Sequence, residues 1–156
     1  MIKINFICHG NICRSTMAEM IMTYLVNESH TKNLFEINSS ATSREEIGNP
    51  IHRGTIKILK KNKIPIFPHR AVQITTQEAQ KANLLICMDK NNISNLKRII
   101  NLEDYSKIKL LLNYANLDRD IADPWYTGNF EDTFNDVLLG CKFLLQELLK
   151  VQQDNL

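Results

Sequence analysis

Long apolar runs, a surplus of either charge and a dense set of cysteines are all missing from this sequence, and each absence removes a class of protein. No stretch approaches the roughly 20 apolar residues that span a bilayer. The apolar stretch from Met1 to Ile7 runs at once into Cys8, His9 and Gly10, too short for a signal peptide and without a cleavage site. The 19 basic and 17 acidic residues leave a formal net charge of +2, too balanced to predict nucleic acid or an anionic membrane as a partner. Any anion site is therefore expected to be local. The four cysteines, Cys8, Cys13, Cys87 and Cys141, are few for a disulfide-stapled secreted domain and match no zinc-binding spacing, so a reducing, cytoplasmic setting is expected. There is no internal repeat, linker or low-complexity segment. At 156 residues the chain falls within the roughly 100–200 expected of one domain, read here as residues 1–156, and its 44% hydrophobic and 23% charged content is that of an ordinary globular protein.

What is present is an alternation of strand and helix signals. Ile2, Ile4, Phe6 and Ile7 form a β-prone run that stops at Gly10; from Ser15 a stretch without Gly or Pro puts Met17, Ile21, Tyr24 and Leu25 on one helical face. Phe35 to Ala41 reads as a second strand, and Pro50 to Asn62 as a second helix with Ile51, Ile58 and Leu59 inward and Lys57, Lys60, Lys61 and Lys63 on a solvated face. Ala82 to Met88 and Ile108 to Leu112 are apolar runs of strand length, suited to a parallel sheet covered on both faces, with a helix over Asn92 to Ile100 between them. The last helix carries Phe130, Phe134, Val137, Leu138, Cys141, Leu144, Leu145, Leu148 and Leu149 at helical spacing, with Asn129 as N-cap and Glu131 and Asp132 suiting its positive end. The order predicts an α/β fold: an open, mostly parallel four-stranded sheet with helices on both faces and ligands at the carboxyl ends of the strands, where Cys8 ends the first.

Cys8-His9-Gly10-Asn11-Ile12-Cys13-Arg14-Ser15 sets a cysteine and an arginine at the two ends of a short loop that leads from strand to helix. Gly10 allows a turn without a Cβ penalty, and Asn11 is among the few residues that tolerate a left-handed backbone, so the loop's N–H groups can converge on one point. The helix adds its positive end and unpaired donors, and the Arg14 fork matches two phosphate oxygens. The same field favours a Cys8 thiolate, the nucleophilic form of cysteine. Alone, Cys8 reads equally as a small buried residue at a strand end.

Cys8 to Arg14, then Ser15, Met17, Ala18 and Glu19, resemble the signature of the low-molecular-weight protein tyrosine phosphatases. Ser39-Ser40-Ala41-Thr42-Ser43, Glu46-Ile47-Gly48-Asn49-Pro50, Cys87-Met88-Asp89 and Asp123-Pro124-Trp125-Tyr126 resemble further family motifs in the family's order, so the likeness spans nearly the whole chain. It implies a phosphoric monoester hydrolase in which Cys8 is the nucleophile, Arg14 the phosphate clamp and Asp123 the general acid and then base, with Pro124 stiffening its loop. His9, Gly10, Asn11, Ile12, Cys13, Arg14 and Ser15 would hold the phosphate. Asn11, Ser15, Ser39 and His69 would keep that loop in shape and Asp89 would orient Arg14. Ile12, Trp125 and Tyr126 would wall a pocket for a phosphotyrosine ring, Ile12 favouring phosphotyrosine over phosphoarginine. Cys13 would be the partner of Cys8 in a reversible protective disulfide.

Three positions depart from the family pattern: Thr16 replaces a common proline, Val72 a common arginine, and Glu45 an aromatic residue of the pocket rim, where it would repel acidic peptides. The implied partner is a phosphotyrosine-containing protein or a small aryl phosphate, acted on by a monomer with no cofactor and no metal. Two rivals remain at this point. A thioredoxin-coupled arsenate reductase would need two relay cysteines beyond Cys8, and Ser94 stands near where the one after Cys87 is required. A catalytically inactive phosphotyrosine-binding module would be expected to lose Cys8, Arg14 or Asp123.

Overall fold

In the computed structural model, which describes residues 1–154, the first strand β1 runs from Ile2 to Cys8 and lies at the centre of the sheet. Strands β2 (Phe35–Ala41), β3 (Leu84–Cys87) and β4 (Ile108–Leu110) complete four strands in the order β2-β1-β3-β4, every pair parallel. Ile7 stands opposite Ser40 on one side and Cys87 on the other. The chain therefore leaves β1 in one direction and returns to its other side, and Cys8 ends the strand at the point where the winding reverses, the usual ligand position in such sheets.

Period-two alternation along β1 and β3 divides the core between the two faces. Ile4, Phe6, Cys8 and Ile86 pack with Met17, Met20 and Ile21 of α1 (Arg14–Glu28), Ile58 and Leu59 of α2 (Arg53–Lys61), and Phe134, Val137, Cys141 and Leu144 of α6 (Phe130–Asp154). Ile7, Leu85, Cys87 and Leu110 face the other way, against Ala79 of α3 (Thr76–Lys81) and Leu96 of α4 (Lys90–Ile99). A one-turn helix α5 (Pro124–Thr127) precedes α6. Among the described residues no helix is long and apolar enough to cross a membrane.

The expected elements are present, with shifted ends. α1 begins at Arg14, one residue early. α2 begins at Arg53 rather than Pro50, because Pro50 pairs in an isolated bridge with Arg70 and the His52 ring caps the helix by accepting from Gly54 N. The run Ile108 to Leu112 stays extended only to Leu110; Leu111–Ala115 then winds into a 3₁₀ turn that still buries Leu111 and Leu112. The 82–88 run is a strand over Leu84–Cys87 only, and α4 starts at Lys90 behind an Asp89–Asn92 capping box. Helix α3 carries no clear sequence signal: it is six residues with one buried side chain, Ala79, too little for a visible period. Asn129 caps α6 as expected, its Oδ1 accepting from Asp132 N at 3.0 Å.

Candidate active site

Cys13 precedes α1 without a side-chain cap, and the first turn of α1 holds no acidic residue, so its free N–H donors and positive end face the loop that begins at Cys8. The left-handed residue of that loop is Asn11, at φ 60. Gly10 does not take a positive φ. What its missing Cβ permits is close approach, since a Cβ there would lie 3.3 Å from Glu46 Cγ.

Asn11 is held by every polar atom of its side chain. Its Nδ2 donates to Ser15 Oγ (2.8 Å) and Ser39 Oγ (2.9 Å), and its Oδ1 accepts from Val72 N (3.1 Å) and lies 2.9 Å from His69 Nε2. Asn11, Ser15, Ser39 and His69 are thus brought together, and four polar contacts hold a backbone conformation that is unfavourable in isolation. Val72 takes part through its backbone, so the side chain found there does not enter the bond. Thr16, buried in the first turn, donates from its hydroxyl to Cys13 O at 2.9 Å.

Within the loop Cys8 Sγ accepts from Asn11 N at 3.3 Å, and its thiol donates to Ser15 Oγ at 3.0 Å. Arg14 is 2% exposed. Its Nη1 donates to Asp89 Oδ2 (2.6 Å) and Ile121 O (2.9 Å), and its Nη2 to Asp123 Oδ2 (3.5 Å). Burial works against the guanidinium charge, yet Cys8, Asp89 and Asp123 together hold its pKa above the ordinary value. Asp89 is itself fixed, its Oδ1 accepting from Asn92 N at 2.7 Å. Asp123 caps α5 through Oδ1, which accepts from Trp125 N at 3.0 Å, and Gly128 closes that turn at φ 70.

One pocket of about 100 Å³, open to solvent, is lined by Cys8, Cys13 and Arg14 in its depth and Ile12, Glu45, Trp125 and Tyr126 around it, with Asp123 beside Arg14. Trp125 is 58% and Tyr126 83% exposed. His9 Nε2 lies 3.0 Å from Glu45 Oε2 at the mouth. Cys13 is buried and its thiol is pushed up to about 12, by burial first and by Cys8 second. All four cysteines are free thiols.

The model of the low molecular weight phosphotyrosine protein phosphatases matches residues 3–154. The chain belongs to that family. It is 37% identical over 156 residues to the low molecular weight protein-tyrosine-phosphatase YfkJ of Bacillus subtilis, covering 98% of this chain and 99% of the relative. It is 36% identical over 151 residues to PtpA of Staphylococcus epidermidis, covering 96% of each. The crystal structure of YfkJ superposes at a TM-score of 0.92 over 96% of both chains at 37% identity. That of SP-PTP from Streptococcus pyogenes does so at 0.83, with 39% identity over 95% of this chain and 93% of the other. The family consists of phosphatases that act on phosphotyrosine, and this chain is a protein-tyrosine-phosphatase of low molecular weight by sequence and by fold. The arsenate reductase relay finds no support at the phosphatase's remaining cysteines. Cys87 is fully buried with its thiol driven up by that burial, Ser94 is an exposed residue of α4, and Cys141 is buried against α1.

Glu19, within the signature segment on α1, also belongs to the site. It is 7% exposed, accepts from Ser39 Oγ and lies 3.6 Å from His69 Nδ1. Burial raises its carboxyl from 4.5 to about 7, against the pull of the Ser39 hydrogen bond. A folded carboxyl that keeps its proton longer than the unfolded one makes stability fall as pH rises from about 4.5 through about 7, by up to about 3 kcal/mol. Burial lowers the His69 pKa, so His69 acts in the opposite sense, removing stability as pH falls below 6.5. Glu19→Gln should therefore gain stability relative to the wild type as pH rises from 5 to 8, measured by urea denaturation at each pH. A wild-type-minus-variant difference that stays flat with pH would show that Glu19 is not the titrating group.

Proposed function

We propose that the chain hydrolyses phosphotyrosine in proteins, or small aryl phosphates, through a cysteinyl-phosphate intermediate. The observation that carries this reading is that Cys8, Arg14 and Asp123 line a single pocket at the end of β1. The phosphoryl group sits in the loop from His9 to Ser15, its oxygens on backbone N–H groups and the Arg14 fork, its phosphorus facing Cys8 Sγ. Asp89 and the Ile121 carbonyl fix the guanidinium, so little reorganisation is needed when the substrate arrives.

Attack forms the S–P bond as the P–O bond to the ring breaks, and Asp123 gives its proton to the departing phenolic oxygen. The phenol leaves between Ile12, Trp125 and Tyr126. Water then attacks the phosphorus, losing a proton to the Asp123 carboxylate, and the S–P bond breaks to release inorganic phosphate and the Cys8 thiolate. Ser15, which accepts from the thiol, would turn its own hydroxyl hydrogen toward the thiolate at each departure of sulfur. Cys13 is the candidate partner of Cys8 in a reversible disulfide; peroxide treatment of Cys13→Ser should then leave inactivation that thiols no longer reverse. The enzyme would act as a monomer in the cytoplasm.

Steady-state hydrolysis of phosphotyrosine, phosphoserine and phosphoarginine substrates tests this reading. Selective phosphotyrosine turnover supports it, and preferential phosphoarginine turnover overturns the assignment of substrate. The mouth adds a finer expectation. Glu45, Glu46 and Asp123 line it, and the cation among the lining residues, Arg14, is buried beneath, so acidic residues beside the phosphotyrosine should be disfavoured. Glu45→Lys should raise kcat/KM on an acidic-flanked phosphotyrosine peptide about 3- to 10-fold relative to a basic-flanked one, an effect that shrinks with added salt. Equal effects on both peptides would remove Glu45 from the binding surface.

A further inference from the structure

His52 takes no part in the chemistry proposed above, yet it touches two of the residues that line the pocket, Ile12 and Trp125. Its backbone N–H donates to Ile12 O in the phosphate loop at 2.9 Å. Its ring Nδ1 accepts from Gly54 N at 2.9 Å and so caps α2, which leaves the ring proton on Nε2. The ring meets Trp125 edge-on at 5.8 Å between centroids and 79° between planes, and it stacks on Phe130 at 5.2 Å and 21°. Phe130 packs in turn against the buried set of Ile12, Cys13 and Ala71. The approach is close: a Cβ on Gly54 would fall 2.4 Å from Phe130 Cζ.

Trp125 needs such support. It belongs to a helix of a single turn, it is more than half exposed, and its backbone N–H is bound by Asp123, the carboxyl proposed as the acid. An edge-to-face neighbour such as the His52 ring restricts the plane of the indole. We propose that His52 is a positioning residue that ties the acid-bearing turn Asp123–Thr127 to the phosphate loop: its ring holds Trp125 as a pocket wall, and its Nδ1 and backbone hold α2 against Ile12. The proposal rests on the phosphotyrosine reading of the pocket but is read out independently of turnover.

The two halves of this role separate chemically. His52→Asn keeps a side-chain oxygen suited to an N-cap and removes the ring; His52→Phe keeps a ring and removes the acceptor. Trp125 is the sole tryptophan, so its emission reports on the wall alone. His52→Asn should raise acrylamide quenching of Trp125 about twofold, lower kcat/KM on a phosphotyrosine peptide about 10-fold, and leave the affinity for inorganic phosphate within twofold. His52→Phe should leave quenching as in the wild type, lower the thermal midpoint by about 2–4 °C and weaken phosphate binding severalfold. Quenching that is unchanged in His52→Asn, or the same loss of both readouts in the two variants, overturns the proposal. A wild type that binds phosphate but does not hydrolyse phosphotyrosine, with the quenching change still present, would overturn the functional reading and leave the role of His52 standing.

Discussion

Cys8→Ser is expected to lower kcat on phosphotyrosine by about 10⁴-fold or more while leaving the fold and the phosphate cradle in place. The substitution is small and the site of Cys8 is polar on one side, with Asn11 N and Ser15 Oγ within reach of a hydroxyl as they are of the thiol. A serine hydroxyl is a far poorer nucleophile than a cysteine sulfur, so it cannot attack at a comparable rate. The serine keeps the size and polarity of the side chain, so inorganic phosphate should still bind to the variant. Phosphate titration and the thermal midpoint, measured beside the rate, separate this outcome from misfolding. Turnover that survives in Cys8→Ser would assign the nucleophile elsewhere.

The second large effect belongs to Asp123. Asp123→Ala should reduce kcat on phosphotyrosine about 10²- to 10⁴-fold, the range of a positioned general acid, and much less on an aryl phosphate whose phenol is more acidic. Tyrosine, with a hydroxyl pKa of about 10, leaves poorly without a proton. The alanine change also removes the cap of α5 and one partner of Arg14. Asp123→Asn distinguishes these causes, since its amide oxygen can still accept from Trp125 N but it has no proton of suitable acidity to give. If proton transfer is the role, Asn and Ala should be equally slow on phosphotyrosine. Substantial rescue by Asn would make Asp123 a cap and nothing more.

Much of this arrangement is legible in the sequence because it is local. The run from Ile2, the cysteine six residues before an arginine, and a helix opening directly after it lie within about two dozen residues, and one strand-loop-helix unit follows from them. Asn11 in a left-handed conformation was likewise foreseeable from its residue type. Gly10 shows the limit: a glycine in a turn suggests a dihedral requirement, whereas its φ is not positive and a Cβ there would instead crowd Glu46, contributed by a separate segment. Glu19 and His52 are opaque for the same reason. A glutamate in a helix is ordinary until Ser39 and His69 close over it, and a histidine before a helix carries no sign that rings 73 and 78 positions later will bracket it. The early end of β4 is a matter of backbone, since Leu111 and Leu112 are buried equally well in a 3₁₀ turn as in a strand.

The contacts of Asn11 link the loop to α1, to β2 and to the segment around His69 and Val72, parts of the chain that are far apart before folding. No fragment of the chain can present the cradle by itself, and a partly folded molecule has only a flexible loop with a cysteine and an arginine in it. Inorganic phosphate bound at the proposed cradle would therefore be a ligand of the native state alone. At 100 times its dissociation constant it would add about 2.7 kcal/mol to the free energy of unfolding, so the product of the reaction also slows the loss of the catalyst. Protease resistance and thermal midpoint would then rise together with phosphate concentration.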